Sequence, residues 1–161
     1  MDDPVAEPMS QLDMVEMLGT VERAMSRDVV LLAPDTPVGD AFALIQGTHA
    51  TGGGLVVEAG RVIGVVTIPD LLNVRASAWC TGTLWGPGRS HAGWRVADVM
   101  ERCRWVASKA DPLALVVVKM DEAELDRLPV VDEGGRPVGL LTRRDVIHAV
   151  ARCVRVRVKA A

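Results

Sequence analysis

Gly64-Val65-Val66-Thr67-Ile68-Pro69-Asp70 and Gly139-Leu140-Leu141-Thr142-Arg143-Arg144-Asp145 are one heptapeptide type written twice. Glycine, threonine and aspartate hold matching places, and the copies stand 75 positions apart (139 − 64). The same offset joins Val21 to Val96, Met25 to Met100, Pro37 to Pro112 and Arg61 to Arg136. A constant spacing sustained without a net gap indicates a duplicated supersecondary unit. Each copy ends an apolar run with a hydroxyl and a carboxylate. An ionised carboxylate accepts from both adjacent hydroxyls of a ribose, and such charge-assisted bonds are stronger than neutral ones. Threonine three residues earlier offers a hydroxyl to a phosphate oxygen or to the first turn of the following helix. The amides of that helix start favour phosphate, and a leading glycine lets another backbone come close. A simpler reading of the same spacing makes Thr67 and Thr142 N-caps, with Asp70 and Asp145 as capping residues in the first turn.

Outward from the heptapeptides, each unit reads β-α-β-β-α with an amphipathic helix ahead of it. Apolar residues recur at helical spacing from Leu12 to Met25, weakened by Gly19. Asp28 to Leu32 predicts a short strand, and Thr36-Pro37 predicts a helix start with the Thr36 hydroxyl as cap. Leu55 to Glu58 and Val62 to Thr67 predict a hairpin, and a helix begins at Asp70. The second unit repeats this order: a strand at Arg104 to Ala107, a helix start at Asp111-Pro112, then strands at Pro129 to Val131 and Pro137 to Thr142. A helix from about Arg143 closes it. The expected fold class is α+β (α/β), with mixed sheets and helices in two units packed as a pseudo-twofold pair. The expected boundaries are an acidic leader 1–19, a first repeat 20–75, a Gly/Trp-rich linker 76–94, a second repeat 95–151 and a basic tail 152–161. The alternating tail Arg155-Val156-Arg157-Val158-Lys159 suits an edge strand with one charged face. One unit of roughly 55 residues is too small for much of a core, so its apolar sheet face needs the other copy.

Composition excludes several classes. Of 161 residues, 49% are hydrophobic and 24% charged, tyrosine is absent and aromatics are 3%, so the core is expected to be aliphatic. A net charge of −3 supplies no overall field for nucleic acid, and no such partner is expected. No apolar run approaches the about 18 residues of a membrane span, and the acidic amino terminus lacks the basic flank of a signal peptide. Three cysteines without metal-ligand spacing, Cys80, Cys103 and Cys153, fit reduced thiols in the cytoplasm. Cys103 is expected to fill core. No nucleophile elbow, zinc-protease motif, phosphate-binding loop or Cys-x-x-Cys is present, so the chain is expected not to be an enzyme and to require no cofactor or metal.

The paired heptapeptides, the preceding Leu128-Pro129-Val130-Val131-Asp132, and the Met25-Ser26 and Met100-Glu101 segments resemble tandem CBS domains, named after cystathionine β-synthase and called a Bateman module when paired. The likeness spans about residues 20–150. It implies a disc-like pair of repeats binding AMP, ADP, ATP or S-adenosylmethionine in clefts between them. It also implies a homodimer that regulates an attached or partner protein.

Carried over by position, the main nucleotide site joins Thr142, Arg144 and Asp145 to Ser26, Leu31, Ala50 and Thr51 of the first repeat. The reciprocal site joins Thr67 and Asp70 to Glu101, Val106 and Asp126. Arg127 matches a position that is often basic in nucleotide-binding members and is a phosphate-contact candidate. Glu101 departs from the usual Ser or Thr. With Asp126 it would repel a phosphate, so the second site is expected to be empty or to hold a less anionic ligand. The competing expectation is an interaction or assembly module that no longer binds nucleotide, with leader, linker and tail as its working parts.

Overall fold

The structure is a computed structural model that describes residues 11–48, 53–73 and 93–160. The expectations for Ala50, Thr51, Cys80 and most of the tryptophan-rich linker lie outside these residues. The described elements run α1 (Gln11–Leu18), α2 (Val21–Ala24), β1 (Val30–Leu32), α3 (Val38–Gln46), β2 (Gly53–Glu58), β3 (Arg61–Thr67) and α4, described over 68–73. There follow α5 (Val96–Val99), β4 (Glu101–Arg102), β5 (Ala107–Ser108), α6 (Leu113–Glu122), β6 (Arg127–Val131), β7 (Pro137–Thr142) and α7 (Arg143–Ala160). The helical stretch expected over 12–25 is two helices, because Gly19 takes a left-handed φ of +66° and turns the chain between them.

In each repeat, the first strand pairs parallel with the second, and the hairpin pairs antiparallel: β1 on β2 on β3, and β5 on β6 on β7. The arm ahead of each repeat then crosses to the other repeat's sheet. Glu101 and Arg102 of the second arm pair with Val65 and Gly64 of β3. Ser26 of the first arm exchanges two 2.9 Å backbone bonds with Leu140 of β7. These are the same pairing, because Ser26 and Glu101 are counterparts, as are Val65 and Leu140.

The helix starts are exchanged as well. The Val38 amide donates to the Trp94 carbonyl at 3.1 Å, and that of Leu113 donates to the Gly19 carbonyl at 2.8 Å. This corrects the expected Thr36 cap: the N-cap of α3 is Pro37 and no side chain caps it, because the arm of the other repeat supplies the acceptor. The tail is also corrected. Residues 152–160 continue α7 rather than forming an edge strand, since no glycine or proline interrupts the chain and extending an established helix costs little.

Two cores result, and each mixes both repeats. Val21 and Met25 of the first arm pack with Leu113, Val116, Leu128, Val130 and Leu141. Val96 of the second arm packs with Leu32, Ile45, Val56, Val66 and Leu71. Between the sheets, Leu55, Val65 and Leu140 form a third cluster with Val29 against it.

The leading glycines of the heptapeptides make the crossings possible. A Cβ on Gly139 would stand 2.7 Å from the Ser26 carbonyl oxygen, and one on Gly64 would stand 2.8 Å from that of Glu101. Gly139→Ala should therefore destabilise the fold by about 1–3 kcal/mol, the range for overpacking a filled site. Gly39→Ala, on open surface in α3, should stabilise it by about 0.4–1 kcal/mol. Urea unfolding of the two variants checks both signs.

Candidate functional site

Each heptapeptide passes from strand to helix without an intervening loop, and threonine stands at the junction. The Thr142 amide and hydroxyl both donate to Asp145 Oδ2, at 2.8 and 2.6 Å, and the Asp145 amide donates to Thr142 Oγ1 at 3.2 Å. Thr67 and Asp70 repeat the arrangement at 2.8, 2.6 and 3.3 Å. The capping reading of the spacing is therefore correct as geometry: the hydroxyl caps the helix and the carboxylate reaches back over it. In both copies Oδ2 takes these bonds, and among the described residues Oδ1 accepts none. The box thus fixes a carboxylate at the head of a helix with one oxygen left for a ligand.

The crossings pair each arm with the strand that leads into one of these boxes. Ser26 lies on β7 two residues before Thr142, and Glu101 lies on β3 two residues before Thr67. Leu31 is exposed in β1, opposite Leu55. Arg144 is exposed in the first turn of α7. The structure therefore brings Ser26 together with the Thr142–Asp145 box, while the Ala50 and Thr51 wall of that cleft is outside the described residues.

On the Asp70 side, a cleft of about 560 Å³ opens between Val65, two residues before Thr67, and residues 101–105, 123–125 and 127–129 of the second repeat; Thr67 and Asp70 are not among its lining residues. Glu101 and Arg127 line it. Val106 is exposed just beyond its wall. Asp126 is not on that wall. Its carboxylate pairs with Arg143 Nε at 2.9 Å, and its carbonyl accepts from the Arg143 amide. The expected repulsion of phosphate by Asp126 therefore loses its basis. Arg102, Arg104 and Trp105 also line the cleft, and the sequence reading did not select them. Comparison of each copy with its counterpart at the 75-residue offset would have drawn attention to them.

Cys103 is half-buried on the same wall rather than in the core. Its thiol donates to the Trp105 carbonyl at 2.8 Å. Burial pushes the thiol above its ordinary value of 9.0; the hydrogen bond at Trp105 opposes this and the charge of Glu101 adds to it. Among the described residues, no group of three or more His, Cys, Asp or Glu side chains could hold a metal, and no helix is long and apolar enough to cross a membrane.

The CBS domain family model matches residues 20–77 and 96–152, once for each repeat. The chain belongs to the CBS domain family. This CBS pair is 26% identical to CBSX2 from Arabidopsis thaliana, with a TM-score of 0.65, over 85% of this chain and 97% of that one. It is 27% identical to CBSX2 in complex with AMP, with a TM-score of 0.62, over 83% and 97% of the two chains. The "Uncharacterized protein MJ1225" of Methanocaldococcus jannaschii is 27% identical over 87% of this chain and half of its own length. Inosine-5'-monophosphate dehydrogenase of Thermoplasma acidophilum is 28% identical over 85% of this chain and a quarter of its own. The chain thus spans half or less of these two curated relatives. It shares with the dehydrogenase only the CBS region, and no catalytic domain is evident in it.

Two outcomes follow from this geometry. Thr67→Val, at a residue only 6% exposed, should lower stability by about 0.5–2 kcal/mol through loss of the cap, measured by thermal unfolding. Alkylation of Cys103, followed by peptide mass spectrometry, should stay slow at neutral pH. Its rate should climb with pH and still be climbing, without a plateau, at pH 9.0, because burial holds the thiol's pKa above that ordinary value.

Proposed function

We propose that this CBS pair is a non-catalytic regulatory module that binds an adenosyl ligand in the clefts between its repeats and signals through a homodimer. The ligand class is AMP, ADP, ATP or S-adenosylmethionine. Asp145 receives the ribose, with Thr142, Arg144, Ser26, Leu31, Ala50 and Thr51 around it. Thr67 and Asp70, with Glu101, Val106 and Asp126 nearby, mark the reciprocal site. One observation carries the reading. Each carboxylate is locked at a helix head, with one oxygen outside the box, at the end of a strand paired to an arm that belongs to the other repeat. A ligand held there touches both repeats at once, so occupancy bears on how they sit together. CBSX2 in its AMP complex, with the same fold and comparable length, supports the ligand class.

Support for the dimer comes from the outer helices. Leu115 and Val118 of α6 and Ile147, Val150 and Val154 of α7 are all exposed, and Leu115 and Ile147 are more than 60% accessible. Apolar side chains grouped on neighbouring helices suit an interface. The same surface favours the second reading, an assembly module without nucleotide. The two part on ligand binding alone.

Asp145→Asn keeps an oxygen to cap Thr142 while removing the charge, so it tests binding without unmaking the helix start. It should weaken AMP or ATP by about 1.5–3 kcal/mol, the range for hydrogen bonds to charged groups. Isothermal titration measures this, and an unchanged affinity rejects the assignment. Ligand at a hundred times its dissociation constant should also raise unfolding stability by about 2.7 kcal/mol. No rise with any of the four compounds would favour the assembly reading.

A further inference from the structure

We infer that the Asp70-side cleft is selective for a nucleoside di- or triphosphate, with Arg102, Arg104 and Arg127 receiving the phosphate chain and Trp105 stacking on the base. This rests on the reading that the clefts take adenosyl ligands, and it reverses the expectation that this one holds the less anionic compound. Three arginines line the cleft. Among the described residues, none of them has a carboxylate within salt-bridge distance, the ion pairs there being Arg27–Glu22 and Arg143–Asp126. Glu101 and Glu124 also line the wall, so positive charge is in modest excess. Glu101 gives an acceptor for a sugar hydroxyl or an amino group. Unpaired guanidiniums converging from two segments suit a chain of phosphates, whose oxygens match the forked donors.

The duplication supplies an internal control. The counterparts of Arg102 and Arg104 in the first repeat are Arg27 and Val29 at the 75-residue offset, and that of Arg127, which pairs with Thr142 as Gly53 pairs with Thr67, is Gly53. Arg27 is tied to Glu22 at 3.0 Å, Val29 packs against the cluster between the sheets, and Gly53 has no side chain. The scaffold is therefore common to both copies, and the three unpaired cations belong to one. Trp105 diverges too, since its counterpart is Val30. Its ring is 46% exposed at the cleft and carries Lys119 Nζ 4.1 Å from its centroid. A cation on one face anchors the indole while the ring remains a platform for a planar base. S-adenosylmethionine, which carries a sulfonium cation, is disfavoured beside these arginines, and adenosine leaves them unused.

The test is isothermal titration of the full chain with ATP, ADP and adenosine in an Asp145→Asn background, which weakens the other cleft. ATP should bind at one site, about tenfold or more tighter than adenosine, and more weakly as salt rises. Adding Arg102→Gln and Arg127→Gln should cost ATP about tenfold or more while adenosine shifts less than about twofold. Adding Trp105→Leu should weaken both ligands. These arginines are on the cleft wall, not in the core, and circular dichroism verifies that each variant is folded. An ATP affinity indifferent to the double glutamine change overturns the inference, as does adenosine binding as tightly as ATP. If ATP binds the wild type but not the Asp145→Asn chain, this inference falls and the broader reading stands. If no adenosyl compound binds even the wild type, both fall.

Discussion

Two backbone crossings hold this molecule together. At each, the arm ahead of one repeat is paired to the last strand of the other, through Ser26 on Leu140 and Glu101 on Val65. The crossing is tight enough that the strand residue beneath it has to be glycine. Around it lie the exchanged helix caps, in which a carbonyl ahead of one repeat satisfies the first amide of a helix in the other. Buried amides require such acceptors. Neither repeat therefore completes its own hydrogen bonding, and the pair is the folding unit.

Packing follows the same exchange. Val21 sits in the core of the second repeat and Val96 in that of the first, both without solvent exposure. A unit of roughly 55 residues buries too little surface to stand easily alone. Lending an arm enlarges both cores together. It also carries the arm's polar residues to the edge of the opposite helix head, where the Thr–Asp box has already fixed a carboxylate. Structural exchange and ligand cleft are thus two consequences of one chain path.

Symmetry of the backbone does not extend to chemistry. The two boxes agree to within 0.1 Å in every bond, while the arms that face them have diverged. One arm carries Ser26 and an arginine already engaged by Glu22; the other carries Glu101, two unpaired arginines and a tryptophan. The shared geometry presents the same carboxylate twice. The divergent arms give the two sides different charge.

Much of this was legible in the residues. The 75-position offset, the hairpins and the Thr-x-x-Asp junctions depend on local periodicity and turn chemistry, and β7 runs from Pro137 to Thr142 as read. The need for glycine at the head of each heptapeptide could also be argued before any coordinates. Other features could not. Thr36 is a sound cap by type, yet the Trp94 carbonyl takes its place. The tail alternates like a strand, yet it extends α7. Asp126 looks like a repelling wall until Arg143 is found beside it. Sequence by itself determined the repeated unit and the groups it carries, because those follow from neighbours along the chain. Only the tertiary structure decided which groups meet, because the crossing of the arms sets each helix cap and cleft wall from residues remote in sequence.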